Sequence, residues 1–376
     1  MGVHTKMSDS NPEMRATAAR ICRDYLTGVW KHVNAENIGL KYISGGLSNW
    51  VYNVQLPDGT TPIRNEPRQV LLRIYGQVHG ERAMESIITE SVIFTLLSER
   101  KLGPKLYGVF PGGRIEEYIP ARPLLTKELA DPEISASIAE KMARLHKMQV
   151  PISKEPTWLW DTMAKWCNSA EDILKNVDNV NNLQLEYIKA IRSTNFKDEI
   201  VWLNHFVSQH NYPVVFCHND LQEGNILLHE KNCGRDLVLI DFEYCSYNYR
   251  GFDLANHFIE WRYNYTLKEY PFFYEKKAAG PTDEQKLHFI RSYLKTTEKS
   301  NREEELKLMA EVEVLSLASH LLWTLWSVVN AGHSQIPFGY WDYAASRLRH
   351  YHDLKSKILL SGSLKDGQIT KDDLTG

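Results

Sequence analysis

The chain lacks most of the features that would place it outside the cytosol. Its longest apolar stretch, Leu315 to Val329, is too short to span a bilayer and is interrupted by His320. The opening residues, MGVHTKMSDSNPEMRATAAR, carry no apolar core of the kind a signal peptide needs. Met1-Gly2 is followed by Lys6 where a myristoylation motif wants Ser or Thr. Five cysteines (Cys22, Cys167, Cys217, Cys233 and Cys245) are odd in number and scattered, with no Cys-x-x-Cys pair. That pattern argues against a zinc site or a disulfide frame and suits a reducing compartment. Neither sign of charge dominates: a net charge of −3 gives no basic field, so neither nucleic acid nor an anionic membrane is expected as a partner. No internal repeat is visible. A soluble, cytoplasmic protein is expected.

What is present is length and order. A chain of 376 residues has room for two lobes, each with its own core. Residues 1–13 are polar and expected to be disordered, and 361–376 have lost hydrophobic periodicity and read as a flexible tail. Between them, residues 14–119 read as a strand-rich lobe and 120–360 as a mainly helical one. The fold class expected is α+β. Strands are expected at 50–55, 70–75, 106–110, 114–119, 214–216 and 237–240. Helices are expected at 14–33, 83–100, 133–148, 160–175, 181–193, 197–209, 253–264, 282–294, 303–331 and 340–360.

The densest chemistry lies in residues 214–253. The apolar strand Val214–Phe216 runs into His218-Asn219-Asp220, and Asn225 follows five residues after that aspartate. A second apolar strand, Leu237–Ile240, ends on Asp241-Phe242-Glu243, which sets the two aspartates 21 residues apart. Phosphoryl transfer from ATP uses a carboxylate beside the acceptor hydroxyl, with an amide oxygen and a second carboxylate on Mg²⁺. The order matches the kinase pair H-R-D-x-x-x-x-N and D-F-G, written here H-N-D-x-x-x-x-N and D-F-E. Asp220 is then the catalytic base or orienting carboxylate, and Asn225 and Asp241 are the metal ligands. His218 is expected to buttress the loop. Glu243, where protein kinases keep glycine, either holds a second Mg²⁺ through water or faces solvent.

The rest of that machinery has counterparts upstream. Ser44-Gly45-Gly46-Leu47-Ser48-Asn49 is either an ordinary hairpin turn or a backbone cradle for phosphates, and its place before a kinase-like core favours the cradle. Arg73 is the one charge on the buried strand 70–75 and stands where a phosphate-gripping base belongs; the alternative is an arginine at a strand edge. Glu90, on the apolar side of the following helix, is expected to pair with it. Glu117 to Pro120 reads as a hinge able to present backbone groups to an adenine edge. The chain reaches Asp253 within twelve residues of Asp241, and no Ala-Pro-Glu motif ends that stretch, so a small acceptor is favoured over a peptide. Asp253 opens a helix and is expected to cap it, with contacts to the catalytic loop as a further role.

Aromatic residues crowd the helical lobe: Trp261, Tyr263 and Tyr265, then Trp323 and Trp326, then Phe338, Tyr340, Trp341 and Tyr343. Trp323 and Trp326 share one helix face at i, i+3. They are either core packing or walls of a cage for a cation, with Glu260 as a nearby carboxylate.

The stretches SGGLSN, LGPKLYGVFPGGRIEEYIP, FCHNDLQEGNILL, IDFEYCSYNYRGFDLANHFIEW, SHLLWTLWS and FGYWDYA resemble, in order, those of the choline/ethanolamine kinase family. The likeness runs from about residue 14 to 355 and is nearer to the choline kinases. It implies a protein-kinase-like bilobal fold with a small mainly β N-terminal lobe and a larger mainly helical C-terminal lobe. It further implies MgATP as donor, choline as acceptor and phosphocholine as product, with ethanolamine as the runner-up substrate. The family's glycine-rich loop falls on Ser44–Asn49, its strand arginine on Arg73, and its hinge on Glu117 and Ile119. Its choline pocket falls on Tyr265, Trp323, Trp326 and Tyr343, with Glu260 and Phe338 adjoining. Glu117 departs from the usual glutamine. The family is usually homodimeric. Two other readings are a kinase-like scaffold without activity, against which the retained Asp220, Asn225 and Asp241 argue, and an antibiotic kinase, which would want acids in place of rings.

Overall fold

The structure is a computed structural model that describes residues 12–45, 49–75, 81–177, 182–231, 234–276 and 280–361. In chain order its elements are α1 (Pro12–Tyr25), β1 (Gly39–Gly45), β2 (Asn49–Gln55), β3 (Gln69–Tyr75), α2 (Glu81–Glu99), β4 (Leu106–Phe110), β5 (Gly113–Glu117) and β6 (Arg122–Pro123). There follow α3 (Pro132–His146), α4 (Thr157–Lys175), α5 (Asn182–Arg192), α6 (Phe196–Ser208), β7 (Val214–Cys217), β8 (Ile226–Lys231) and β9 (Gly234–Leu239). The chain ends with β10 (Ser246–Tyr249), α7 (Arg250–Glu260), β11 (Tyr263–Asn264), β12 (Tyr274–Glu275), α8 (Asp283–Thr296), α9 (Arg302–His333) and α10 (Tyr340–Leu360). It divides into two compact units, 1–122 with 227–243, and 123–226 with 244–376. The stretch 227–243, expected in the helical lobe, thus belongs to the first unit. The expected disorder of 1–13 and 361–376 falls almost entirely outside the described residues.

The first unit is built on a five-stranded antiparallel sheet in the order β1-β2-β3-β5-β4. Alternation along β3 turns Val70 and Leu72 to the core, where Tyr52, Val54, Ile115 and Trp30 meet them. β1 has no apolar alternation strong enough to announce it and is found only through its pairing with β2. β8 and β9 are neighbours in a separate sheet.

The second unit is helical for reasons written at its helix ends. Asp131 accepts from the backbone N–H groups of Glu133 and Ile134 to cap α3, with Pro132 in the first turn. Thr282 and Gln285 form a reciprocal capping box on α8, and Asn301 caps α9 ahead of Glu303, Glu304 and Glu305. α9 is the one helix, among the described residues, long and apolar enough to cross a membrane, but 78% of its most apolar stretch is buried within the protein. It packs against α10, α7, α4 and α8 and forms the middle of the core. β7 pairs with β10, so the two apolar strands of the central motif belong to different sheets.

Candidate active site

The loop that leaves β7 is held by Asp253, and not in the way a helix cap would act. α7 starts at Arg250, with Tyr249 at the cap position, so Asp253 lies inside the first turn. Its fully buried carboxylate accepts from the backbone N–H of His218 and of Asn219, each at 2.8 Å. It also meets His146 Nε2 at 2.9 Å, and His146 Nδ1 lies 2.8 Å from the Tyr293 hydroxyl. Burial works to raise the pKa of Asp253, but the hydrogen bonds and the neighbouring imidazoles outweigh it and hold the carboxyl below its usual value.

Asn219 has φ +68°, a left-handed conformation that asparagine tolerates better than most residues. Its amide donates to the carbonyl of Tyr244 and accepts from Asn248 Nδ2, both at 2.8 Å, which sets the course of the chain into Asp220. His218 is fully buried, and its Nδ1 accepts from the Asp220 backbone N–H at 3.3 Å, the geometry of a buttress. Asn225 donates both amide hydrogens to Asp220, 2.8 Å to the carbonyl and 3.0 Å to Oδ2. The atom this leaves to offer is the amide oxygen, the kind of donor a hard cation takes. Further along, His257 Nδ1 donates to the carbonyl of Leu221 at 2.9 Å while Nε2 accepts from Trp261. Burial pushes its pKa down to about 4, so it sits as neutral imidazole. Glu223 is buried; burial first, and then the charge of Glu260, push its carboxyl up to about 7. Thr126 donates to its Oε1 at 2.9 Å, while its Oε2 has no partner among the described residues.

The expected cage residues come together. Trp323 and Trp326 lie 5.6 Å apart at 72°, Trp326 meets Tyr340 at 5.9 Å, and Tyr340 meets Phe338 at 5.0 Å. Phe338 in turn lies 6.3 Å from Tyr265 and 5.8 Å from Tyr343. Trp323 and Tyr343 are buried, whereas Trp326, Phe338 and Tyr265 are half-buried and keep an open side. Glu260, 4% exposed, accepts from the Tyr265 hydroxyl at 2.6 Å, from Arg347 Nη1 at 3.0 Å and from the Tyr343 hydroxyl at 3.5 Å. Burial and then Glu260 raise the pKa of Tyr265 well above its ordinary value, so it remains a donor.

The first unit holds the other expected residues, with one pairing corrected. Arg73 bonds Glu116 (Nε to Oε1, 2.8 Å), and Glu90, expected as its partner, bonds Arg114 at 2.6 Å. Arg114 Nε joins the same Glu116 oxygen at 2.7 Å, so four charges form one chain. The cause is register: β3 and β5 set Arg73 opposite Arg114, and Glu116 lies two residues on, within reach of both. Arg114 and Glu116 were not expected in the network; a strand that alternates Arg-Ile-Glu with both charges turned inward is the signal that marks them. Burial acts to lower the pKa of Arg73, and Glu116, then Asp241, turn it upward. Asp241 itself has φ +65°. Glu243 is exposed, so water screens part of the push on it; surrounding protein, then Asp241 and Glu90, raise its carboxyl to about 7. Glu117 spends its carboxylate on the Lys105 backbone N–H (3.0 Å), while its own N–H donates to the Lys105 carbonyl at 2.7 Å. Ile119 accepts from the Ala121 N–H at 2.8 Å. Gly46, Leu47 and Ser48 lie outside the described residues, as do the side chains of Ser44, Gly45 and Asn49; β1 and β2 flank them.

A carboxylate-amide pair on a pinned loop, and in the first unit a left-handed aspartate with an ion-paired strand arginine, define a kinase-type phosphotransferase. A family model described as choline/ethanolamine kinase matches residues 40–352. A human protein named choline/ethanolamine kinase is 44% identical over 372 residues, which cover 94% of this chain and 92% of the relative. Mouse choline kinase alpha is 43% identical over 382 residues, covering 94% and 83%. The crystal structure of a choline kinase from Cryptosporidium parvum aligns with a TM-score of 0.75 at 28% identity, over 92% of this chain and 96% of that one. The chain belongs to the choline/ethanolamine kinase family, and its fold is protein-kinase-like and α+β.

Proposed function

We propose that the protein transfers the γ-phosphoryl group of ATP to the hydroxyl of choline, giving phosphocholine and ADP, the first step of phosphatidylcholine synthesis through CDP-choline. The observation that carries the choice of acceptor is the state of Glu260. Its carboxylate is already bonded by two tyrosine hydroxyls and Arg347. Three of the roughly four acceptor sites of that carboxylate are used, so a primary ammonium with three donors finds too few partners there, whereas a trimethylammonium has no donors and wants ring faces. Three half-buried rings supply those faces.

In this reading the choline hydroxyl lies against Asp220. Its oxygen bonds to the γ-phosphorus as the bond to the β–γ bridging oxygen breaks, and its proton passes to Asp220. A loose transfer asks for position and charge more than for a strong base, which the hydrogen-bonded Asp220 carboxylate provides. Arg73 and the backbone of Ser44–Asn49 hold phosphates, and the backbone at Glu117 and Ile119 meets adenine, the Glu117 side chain being engaged elsewhere. Asn225 offers an amide oxygen, and Asp241 and Glu243 carboxylate oxygens, to Mg²⁺. The ion when bound neutralises charge on the transferring phosphoryl group. A homodimer, on family resemblance, and a cytoplasmic location, on the scattered and unpaired cysteines, belong to the same proposal, and sedimentation checks the first.

A second reading, ethanolamine alongside choline, is favoured by the name of the human relative. The test is ³¹P detection of product with MgATP and choline, ethanolamine or a peptide in parallel. Phosphocholine in excess is expected. Phosphoethanolamine alone would overturn the choice of acceptor, and no phosphorylated amino alcohol at all would return the protein to an inactive scaffold.

A further inference from the structure

Trp323 does not rest on packing alone. Its indole N–H donates to Asn256 Oδ1 at 2.7 Å, and Asn256, on α7, is fully buried. The same oxygen accepts from the Ser319 hydroxyl at 2.8 Å. Ser319 Oγ in turn accepts from Arg347 Nη2 at 2.8 Å, and Arg347 Nη1 donates to Glu260 at 3.0 Å. Every direction in this chain is fixed, because a guanidinium and an indole nitrogen can only donate. Asn256 is therefore the acceptor on which the tryptophan wall and the carboxylate wall of the cage converge.

The amide at this position comes at a cost, since its Nδ2 is buried without a partner among the described residues, and an unpaired buried donor is unfavourable. Neither simple replacement would serve. Leucine would remove that orphan but strand the indole N–H and the Ser319 hydroxyl. Aspartate would keep the acceptor but add a negative charge that competes with Glu260 for Arg347. A neutral acceptor with two lone pairs is what the position requires. Trp326 and Tyr244 meet the Trp323 ring at 72° and 88°, and the N–H bond to Asn256 adds to that packing a directional restraint on the tilt of the indole.

We propose that Asn256 is a positioning residue for choline, fixing the tilt of the Trp323 indole so that its face stays turned to the quaternary ammonium. The inference rests on the choline reading and extends it to a residue that does not itself touch substrate. Its test is a double-mutant cycle on Asn256→Leu and Trp323→Phe, the second keeping a ring while removing the N–H. Each single variant is expected to raise KM for choline roughly tenfold, near 1.4 kcal/mol, with KM for ATP within about twofold of wild type. The double variant is expected to be no worse than the poorer single one, because both remove the same bond. Additive effects, or an unchanged KM for choline in either variant, would overturn the proposal. Should Asn256→Leu fail to fold, Asn256→Ser takes its place in the cycle, and an unchanged KM for choline in that variant overturns the proposal. Wild-type turnover is measured in the same series: its absence with choline defeats the functional reading and this inference with it, while normal wild-type turnover with unresponsive variants defeats the inference only.

Discussion

Replacing Asp253 by asparagine tests how the catalytic loop is held. Three donors converge on its carboxylate: two backbone N–H groups of the loop at 2.8 Å and His146 at 2.9 Å. Asparagine keeps one oxygen and turns an NH2 group toward the second backbone N–H. One buried donor then faces another donor, which costs about 1–3 kcal/mol, and the remaining bond loses its charge assistance, worth roughly another 1 kcal/mol. His146 can adapt by changing tautomer. The expected loss is about 3 kcal/mol of unfolding free energy at pH 7. Of the ten tryptophans only Trp30 and Trp50 lie in the first unit, so urea unfolding followed by tryptophan fluorescence reports mainly on the second. The pH dependence carries a sign. Asp253 has its pKa lowered from 3.8, so its contribution is present above that value and is lost as pH falls through the lower, folded pKa. Wild type and Asp253→Asn should therefore converge in acid. A loss below about 1 kcal/mol at pH 7, or a gap that does not narrow as pH falls below 3.8, would refute the account of the loop.

Trp326→Ala removes a half-buried ring face and should raise KM for choline between about twofold and thirtyfold, with KM for ATP nearly unchanged, by steady-state kinetics; equal rises in both would return Trp326 to the core. Glu223→Gln tests the carboxyl that burial pushes from 4.5 up to about 7. A raised acid contributes stability while protonated and loses it as pH rises through the folded pKa, so the glutamine variant should gain about 3 kcal/mol on wild type between pH 4.5 and pH 8. Denaturant titrations at the two pH values check this, and parallel curves would contradict it.

Much of the fold was legible because helix ends and helix faces are local properties. The caps at Asp131, Thr282 and Asn301 and the long apolar face of α9 are decided within a few residues of chain. Partners are not local. Leu237–Ile240 reads as a strand from its side chains, but nothing in it says that its neighbour is β8 or that β7 pairs with Ser246–Tyr249. The same limit explains the site. Asp220, Asn225 and the tryptophans stand in short motifs with fixed spacing, whereas Asp253 reaches back 35 residues to the loop and Asn256 reaches 67 residues to an indole. Arg73 was legible as a buried charge, but its partner depended on a register that one strand cannot state.

The central claim is that Asp220 acts on the hydroxyl of a headgroup held by the aromatic wall. Its most direct measurement is single-turnover formation of phosphocholine by wild type and Asp220→Ala, with ATP binding followed by calorimetry on both. Transfer should vanish in the variant while its affinity for ATP stays within about threefold of wild type, since Asn225 keeps its 2.8 Å bond to the backbone carbonyl of residue 220 when that side chain is removed. Near-normal turnover by Asp220→Ala would contradict it.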